Sequence, residues 1–416
     1  MAFRSPENVQ RNELVRFDLE SVIRAPGNTQ EQEKRGYKFT VENRGTFFDW
    51  FNAFFEIQFK MDLKANGGDN LETLSTVING SHSFIKHLMI KSGGKIIYDT
   101  DNLHLVTFTK NLLEYSDDYS RSVAKNSFWY LDTGTTAVDA ANTGFAARRA
   151  LTSNRKQVNV KIPLNRYSFF EELEGRILPP MQVVFEIELN PDAELIFGDV
   201  DTTRVTIDRF YLWVPKILPK DSLMTKYISD FQKPSKWKYL KEKHFSSAVT
   251  RNAVDYRIDS SIINARHVFV FLQRLKRNEI EQNPYIFDTF NITGATPAVT
   301  WLNTCRLEYG DGVFYPEASY EETSKIRIFN DLMAYSWKEN DYNTGTQLNV
   351  HNHASLYPLI YFNLTYQAES ATRDPKKLLF RYTLNQASTV DYQVHAIVLY
   401  ESEVVVDKVG DKLLIV

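Results

Sequence analysis

One architectural unit occurs twice in this chain of 416 residues, and a duplication constrains the fold more than any single motif does. Ile90-Lys-Ser-Gly93-Gly-Lys-Ile-Ile-Tyr98 is answered by Leu307-Glu-Tyr-Gly310-Asp-Gly-Val-Phe-Tyr315. Asn111-Leu-Leu-Glu-Tyr115-Ser116 is answered by Asp331-Leu-Met-Ala-Tyr335-Ser336, and Ile162-Pro163-Leu164 by Tyr357-Pro358-Leu359. Val184-Phe185-Glu-Ile-Glu-Leu-Asn190 matches Leu379-Phe380-Arg-Tyr-Thr-Leu-Asn385, and Leu212-Trp-Val-Pro-Lys216 aligns loosely with Leu399-Tyr-Glu-Ser-Glu403. The first two pairs lie roughly 220 residues apart and the last three roughly 190, so the first copy carries about 25 extra residues within 116–162. Five matches in the same order predict a tandem duplication; two unrelated β-rich halves with similar strand grammar are the plainer reading of the same strings.

A chain of this length exceeds a single core and suits two domains of about 200 residues each. Aromatic content is high, with 28 Phe and 22 Tyr, and such residues fit pleated, half-buried surfaces. The single cysteine, Cys305, excludes an intrachain disulfide and a cysteine-based zinc site, and its place in a strand pattern reads as a buried, inert thiol. A net charge of −3 predicts no polyanionic or polycationic partner. No apolar run reaches the roughly 18 residues of a membrane span. The first residues lack the apolar core of a signal peptide, so synthesis in the cytosol without secretion is expected.

Along the chain, 1–36 reads as a polar, charge-balanced arm in which Val15-Arg-Phe17-Asp-Leu19 alternates like a strand. Strand patterns then crowd 37–218, 219–250 reads as a lysine-bearing connector, and strands resume through 251–416. Gly93-Gly94 and Gly310-Asp311-Gly312 read as hairpin turns, since no Lys-Ser/Thr follows as a phosphate loop requires. Leu103, Val106, Leu112 and Leu113 suit a short amphipathic helix, and 132–154 reads as an exposed, mobile insertion. The scattered connector lysines read as a solvated linker in preference to a nucleic-acid face. Many short strands with regular turn signals and no long helix predict an all-β chain of two tandem eight-stranded jelly rolls, with short helices in loops.

Chemistry is sparse. His351-Asn352-His353 has the spacing of a strand-borne metal pair, but no carboxylate follows and the first copy has no equivalent. Asp117-Asp118, Glu171-Glu172 and Glu321-Glu322 are adjacent pairs whose members point apart in a strand, so they read as solvated charges. No Gly-x-Ser-x-Gly elbow is present. No catalytic, cofactor-binding or metal residue is assigned, no cofactor is expected, and the chain reads as structural and not enzymatic.

A resemblance extends this reading. Lys110-Asn-Leu-Leu-Glu-Tyr115-Ser-Asp-Asp-Tyr119-Ser-Arg-Ser122, Val160-Lys-Ile-Pro-Leu-Asn-Arg-Tyr167 with Ser168-Phe-Phe170, Ile177-Leu-Pro-Pro180 and Leu212-Trp-Val-Pro215 resemble the hexon-type major capsid proteins of Polinton/Maverick elements and adintoviruses. The likeness is concentrated in 110–215, and the chain is short for that group. It implies a double jelly roll that forms homotrimers, pseudo-hexameric tiles and then an icosahedral capsid around a DNA genome. Expected partners are further copies of the chain and a single jelly-roll vertex (penton) protein. Minor capsid proteins or an internal membrane are further options, sequence-specific nucleic-acid binding is not expected, and the location is the virion. Two other functions use jelly rolls and stay open here: a bicupin-type metal enzyme, and a carbohydrate-binding sandwich such as a spike or lectin.

Overall fold

The computed structural model describes residues 2–3, 9–24, 35–42, 46–63, 75–92, 94–134, 141–178, 180–199, 202–230, 235–249, 253–274, 283, 285–287, 302–310, 312–319, 325–336, 345–365, 374–384, 392–406 and 413–415. Eight main strands among the described residues build the first half: β1 (Val9–Phe17), β2 (Arg35–Val41), β3 (Phe54–Leu63), β4 (Ile85–Ser92), β5 (Lys95–Thr100), β6 (Val158–Pro163), β7 (Val183–Leu189) and β8 (Thr203–Pro219). Eight more build the second: β9 (Ser235–Val249), β10 (Ala253–Ile262), β11 (Ala265–Arg274), β12 (Leu302–Tyr309), β13 (Gly312–Ser319), β14 (Ile360–Asn363), β15 (Lys376–Leu384) and β16 (Tyr392–Val406). The helices used below are α1 (Leu103–Glu114), α2 (Asp117–Arg121), α3 (Thr143–Thr152), α4 (Ser168–Glu171), α5 (Asp221–Asp230), α6 (Lys325–Tyr335) and α7 (Val350–Ser355).

In the first half one antiparallel sheet has the order β1-β8-β3-β6 and the other β2-β7-β4-β5, with the short strand Ser21–Arg24 added at its β2 edge. In the second half the orders are β9-β16-β11-β14 and β10-β15-β12-β13. Adding eight to each label of the first pair gives the second, so both halves are the jelly roll that the repeat predicts. Alternation drives each sheet: β3 exposes and buries residues in turn, with Phe55, Ile57 and Phe59 fully inside. In the first core, Phe55 meets Phe39, Phe185 and Phe210 with ring centroids 5.5–5.6 Å apart. The second core is smaller and aliphatic where β11 and β16 supply Val268, Val270, Val394 and Val398.

The register tests the repeat residue by residue. Phe185 lies opposite Ile90 and Phe39, while Phe380 lies opposite Leu307 and Tyr256, so two of the sequence matches coincide in space. Gly94 and Gly310 both take positive φ in the β4–β5 and β12–β13 turns. Two other matches slip. Pro163 ends β6 whereas Pro358 precedes β14. Leu212 faces its own core, but Leu399 faces out of the second roll, and its neighbour Val398 faces in. A slip of one residue exchanges the two faces of a strand, which a loose string match cannot detect.

Three segment readings change. The arm 1–36 contains β1, which pairs with β8 at Val15 and Val214 and is therefore part of the first roll. The connector 219–250 contains α5 and the whole of β9, paired with β16 from Ser235–Val406 to Val249–Tyr392. Its lysines hid the strand because they occupy exposed positions, where Lys236 and Lys238 pair with Glu403 and Glu401 at 2.6 and 2.5 Å. The insertion 132–154 is not an exposed loop in its described part: it carries α3, whose Arg148 is fully buried. That guanidinium grips both oxygens of Asp132 at 2.9 and 3.0 Å and donates to the Val77 carbonyl at 3.0 Å.

Candidate functional site: the seam between the rolls

The most elaborate polar and aromatic structure in the chain is the seam where the first roll meets the outward face of the β9-β16-β11-β14 sheet. Its centre is α1. Leu103 to Leu113 are all buried, so this helix has no solvated stripe and is enclosed by both rolls. Phe108 stacks on Tyr285 at 4.3 Å and touches Trp129 and Tyr357. Beyond them Phe287 stacks on Phe271 of β11 at 4.0 Å. The carbonyls at the C-terminal end of a helix need outside donors. Gln347 of the second roll supplies them, donating Nε2 to Asn111 O at 2.6 Å and Leu112 O at 3.0 Å, while its Oε1 accepts from Trp129 Nε1 at 2.9 Å.

A charge cluster lies beside this stack. Lys110 Nζ on α1 donates to Glu242 Oε1 of β9 at 2.9 Å and to Glu171 Oε2 of α4 at 2.8 Å. Glu242 also accepts from Ser168 Oγ at 2.5 Å. Arg166 pairs with Glu114 and donates to Asn111 Oδ1 at 2.7 Å, and Tyr335 of α6 donates to Glu114 at 2.9 Å. Burial alone drives the Lys110 pKa down, but Glu171 and Glu242 together outweigh it and hold the ammonium charged well above its ordinary range. Burial likewise opposes the Glu114 charge, and Arg166 and Lys110 reverse it, leaving its pKa below the usual carboxylate value. A cleft of about 470 Å³, lined in part by Lys110, Glu171, Glu172 and Arg176, opens onto this cluster. Its lysine is fixed in two ion pairs. The chemistry on offer is a clamp of paired charges across two domains.

The residues singled out in the sequence scatter. His351 and His353 lie on α7 and not on a strand, and residues two apart on a helix do not share a face. His351 is exposed, whereas His353 is buried and its Nε2–H donates to Leu359 O at 3.0 Å. Asp117 and Asp118 sit in the first turn of α2, behind the Ser116 cap. Glu171 is not a merely solvated charge, because it holds Lys110. Glu321 and Glu322 lie outside the described residues, and Cys305 is buried in β12. Among the described residues no group of three His, Cys, Asp or Glu is placed to hold a metal ion, and no helix is long and apolar enough to cross a membrane. Lys110, Glu242 and Gln347 were missed as site residues because their partners lie in distant parts of the chain. The one available signal was Lys110 itself, a charge inside an apolar helical pattern.

The paired strand orders and the seam define a class, the double jelly roll. No family model matches the chain, and no curated protein sequence matches it. Solved structures do. All of this chain superposes on 90% of a chain from the Sputnik virophage, with a TM-score of 0.65 at 9% identity. All of it also covers 92% of the mavirus major capsid protein, with a TM-score of 0.58 at 11% identity. For a chain of the PBCV-1 virus capsid the coverage is 98%, the TM-score 0.55 and the identity 10%. At such identities the likeness establishes the fold, a double jelly roll built like those of viral major capsid proteins.

Proposed function

We propose that this chain is a major capsid protein whose activity is self-assembly into a protective shell. The observation that carries the proposal is the span of the structural likeness: all 416 residues, both rolls in series, follow capsid chains of nearly the same extent. A fold alone does not dictate function. The seam adds a reason in the chain itself, since burying a helix and a charge cluster between the rolls makes one rigid two-roll block, the kind of unit a lattice needs. In the finer form of the proposal, three copies make a homotrimer with six rolls in a pseudo-hexagonal outline, and such trimers tile an icosahedral shell around DNA. Many weak contacts between tiles add up over a closed shell, so no single contact need be strong.

The block motifs in 110–215 support placement in the Polinton/Maverick–adintovirus group. A single jelly-roll penton protein at the vertices and minor capsid proteins or an internal membrane are the partners this placement brings, and the virion is the proposed location. The division into an arm, two rolls and a connector is retained in this proposal, with β1 and β9 reassigned to the rolls. Light scattering of purified protein, with negative-stain imaging of the same fraction, tests it. Three times 48.3 kDa with a hexagonal outline, or closed shells, is the expected result. A clean monomer at all concentrations refutes the proposal.

A further inference from the structure

At one corner of the seam, three side-chain bonds tie the β5–α1 junction of the first roll to β9 of the second. Tyr239 donates its hydroxyl to Ile97 O at 2.8 Å, and Thr100 Oγ1 donates to Glu242 O at 3.0 Å. The third comes from Asn102, whose left-handed backbone (φ 48°) heads α1 and whose Nδ2–H donates to His244 Nδ1 at 3.2 Å. His244 Nε2 in turn lies 3.0 Å from His395 Nδ1 on β16. Of the three bonds, only this histidine row changes its charge between neutral and mildly acid pH.

An amide nitrogen only donates, so His244 Nδ1 offers a lone pair, His244 carries its hydrogen on Nε2, and His395 Nδ1 accepts it. One added proton is absorbed if the Asn102 amide turns over and its Oδ1 accepts from Nδ1–H. A second is not: both facing nitrogens would then carry hydrogen, 3.0 Å apart, on two cationic rings. His395 has no room to turn away, because it is 2% exposed and lies flat on Phe271, 5° from parallel with centroids 4.9 Å apart. His244 is half-buried and is the ring free to swing. Around the row, Glu242 on the same face of β9 is bound to Lys110, and Lys243 turns to the other face and pairs with Asp259 at 3.5 Å. From the first roll, His104 is buried in the first turn of α1 and stacked on Tyr285, and exposed Asp101 lies 3.9 Å from His87. From β11 come the uncharged Phe271 and Gln273.

We propose that His244 and His395 form an acid-operated latch between the rolls. The pair holds the head of α1 on β9 while it carries at most one extra proton; the second swings His244 out and releases Asn102. The open form binds both protons and the closed form one, so the latch is complete at neutral pH and is lost as pH falls. The release is local, because the Lys110–Glu242 pair and the rings around Phe108 hold the rest of the seam. The latch is a property of the single chain and stands or falls apart from the self-assembly reading.

Hydrogen exchange read by mass spectrometry on the full chain at pH 7 and pH 5, corrected for the chemical exchange rate, tests it. Peptides across 97–105 and 240–246 are expected to exchange about fivefold faster at the lower pH, while peptides on β3 and β7 keep their rate. His244→Gln, which hydrogen-bonds but takes up no proton, and His395→Phe, which keeps a ring on Phe271, are each expected to abolish that local acceleration. An unchanged rate in 97–105 at pH 5 overturns the proposal. An equal acceleration across the whole chain overturns it too, since that is a loss of global stability through other buried histidines. The same local acceleration in either variant, once folded, does so as well.

Discussion

The β1-β8-β3-β6 and β9-β16-β11-β14 sheets share strand order, yet their outward residues differ in how far they are buried. On the first, β8 alternates Tyr211 and Trp213 with core residues, and charged side chains lie over the rings. On the second, β11 and β16 bury residues on both sides, with Val268, Val270 and Val398 inward and Phe269, Phe271 and Leu399 outward. A strand covered on one side reads as alternating, and one covered on both sides reads as a continuous apolar run. His267-Val-Phe-Val-Phe-Leu272 is such a run, so the burial of the second sheet by its partner roll is written into the strand itself.

The largest effect that can break this contrast is a matched pair of truncations. Phe271→Ala empties a site packed against Phe287 and His395, and is expected to cost ~3–5 kcal/mol of unfolding free energy. Trp213→Ala, on the equivalent outward face, is expected to cost about 1 kcal/mol or less, because that face is half open. Urea unfolding of both variants checks this. Equal losses at the two positions would mean that the faces are not differently covered.

Next in size is the seam clamp. Lys110→Met leaves Glu242 buried without its cation, which is expected to cost ~3–5 kcal/mol. Lys110→Met with Glu242→Leu removes both charges and is expected to recover most of that loss. A double variant no more stable than the single one would show that the pair is not a self-contained clamp and that Ser168 and Glu171 depend on it.

How much of this was legible follows from range along the chain. The strand hairpins β4–β5 and β12–β13, the helix at 103–114 and the buried Cys305 depend on neighbouring residues, and alternation or turn glycines reveal them. The clamp depends on Lys110 meeting Glu242, 132 positions away, and no local pattern reports that. Strand β9 was legible in principle. Its lysines resemble a linker when charge outweighs spacing, although Lys236, Lys238 and Tyr239-Leu240 keep a strand's alternation with their partners on β16. The histidine pair failed for the opposite reason: its spacing suits a metal only on a strand, and Asn349, whose side chain accepts from Asn352 N, starts a helix there instead.

Acid offers a third test, smaller for each residue, which reads the seam against the rest. Burial, with Arg166 and Lys110 nearby, pushes the His82 pKa down to about 3. Burial, with Arg266 nearby, takes His267 to about 4, and burial takes His353 to about 4 against the opposing Leu359 hydrogen bond. A histidine depressed in the folded state binds its proton more readily when unfolded. Its contribution is therefore complete above the unfolded value of 6.5 and is lost as pH falls toward the folded value. Between pH 6.5 and 5 each should cost about 2 kcal/mol, less for the partly exposed His267, and most carboxylates have yet to titrate. Thermal unfolding at pH 7 and pH 5 measures it. A flat profile would mean that these rings are protonated in the folded chain.

The smallest effect sharpens the comparison within one strand. Strand β9 carries Glu242, 1% exposed and bound to Lys110, and Lys238, 60% exposed and bound to Glu401 at 2.5 Å. Both are lysine–glutamate pairs with good distances, yet exposed pairs are worth ~0–1 kcal/mol because water screens them and two long side chains must be held still. Lys238→Met is therefore expected to change stability by no more than about 1 kcal/mol, and to lose even that in high salt. The salt dependence is the sharper reading: raising salt should abolish the Lys238 effect and leave the Lys110 effect in place, since only the second pair is shielded from ions by the two rolls. If both effects faded together, the seam would be open to solvent and the rolls would not form one block.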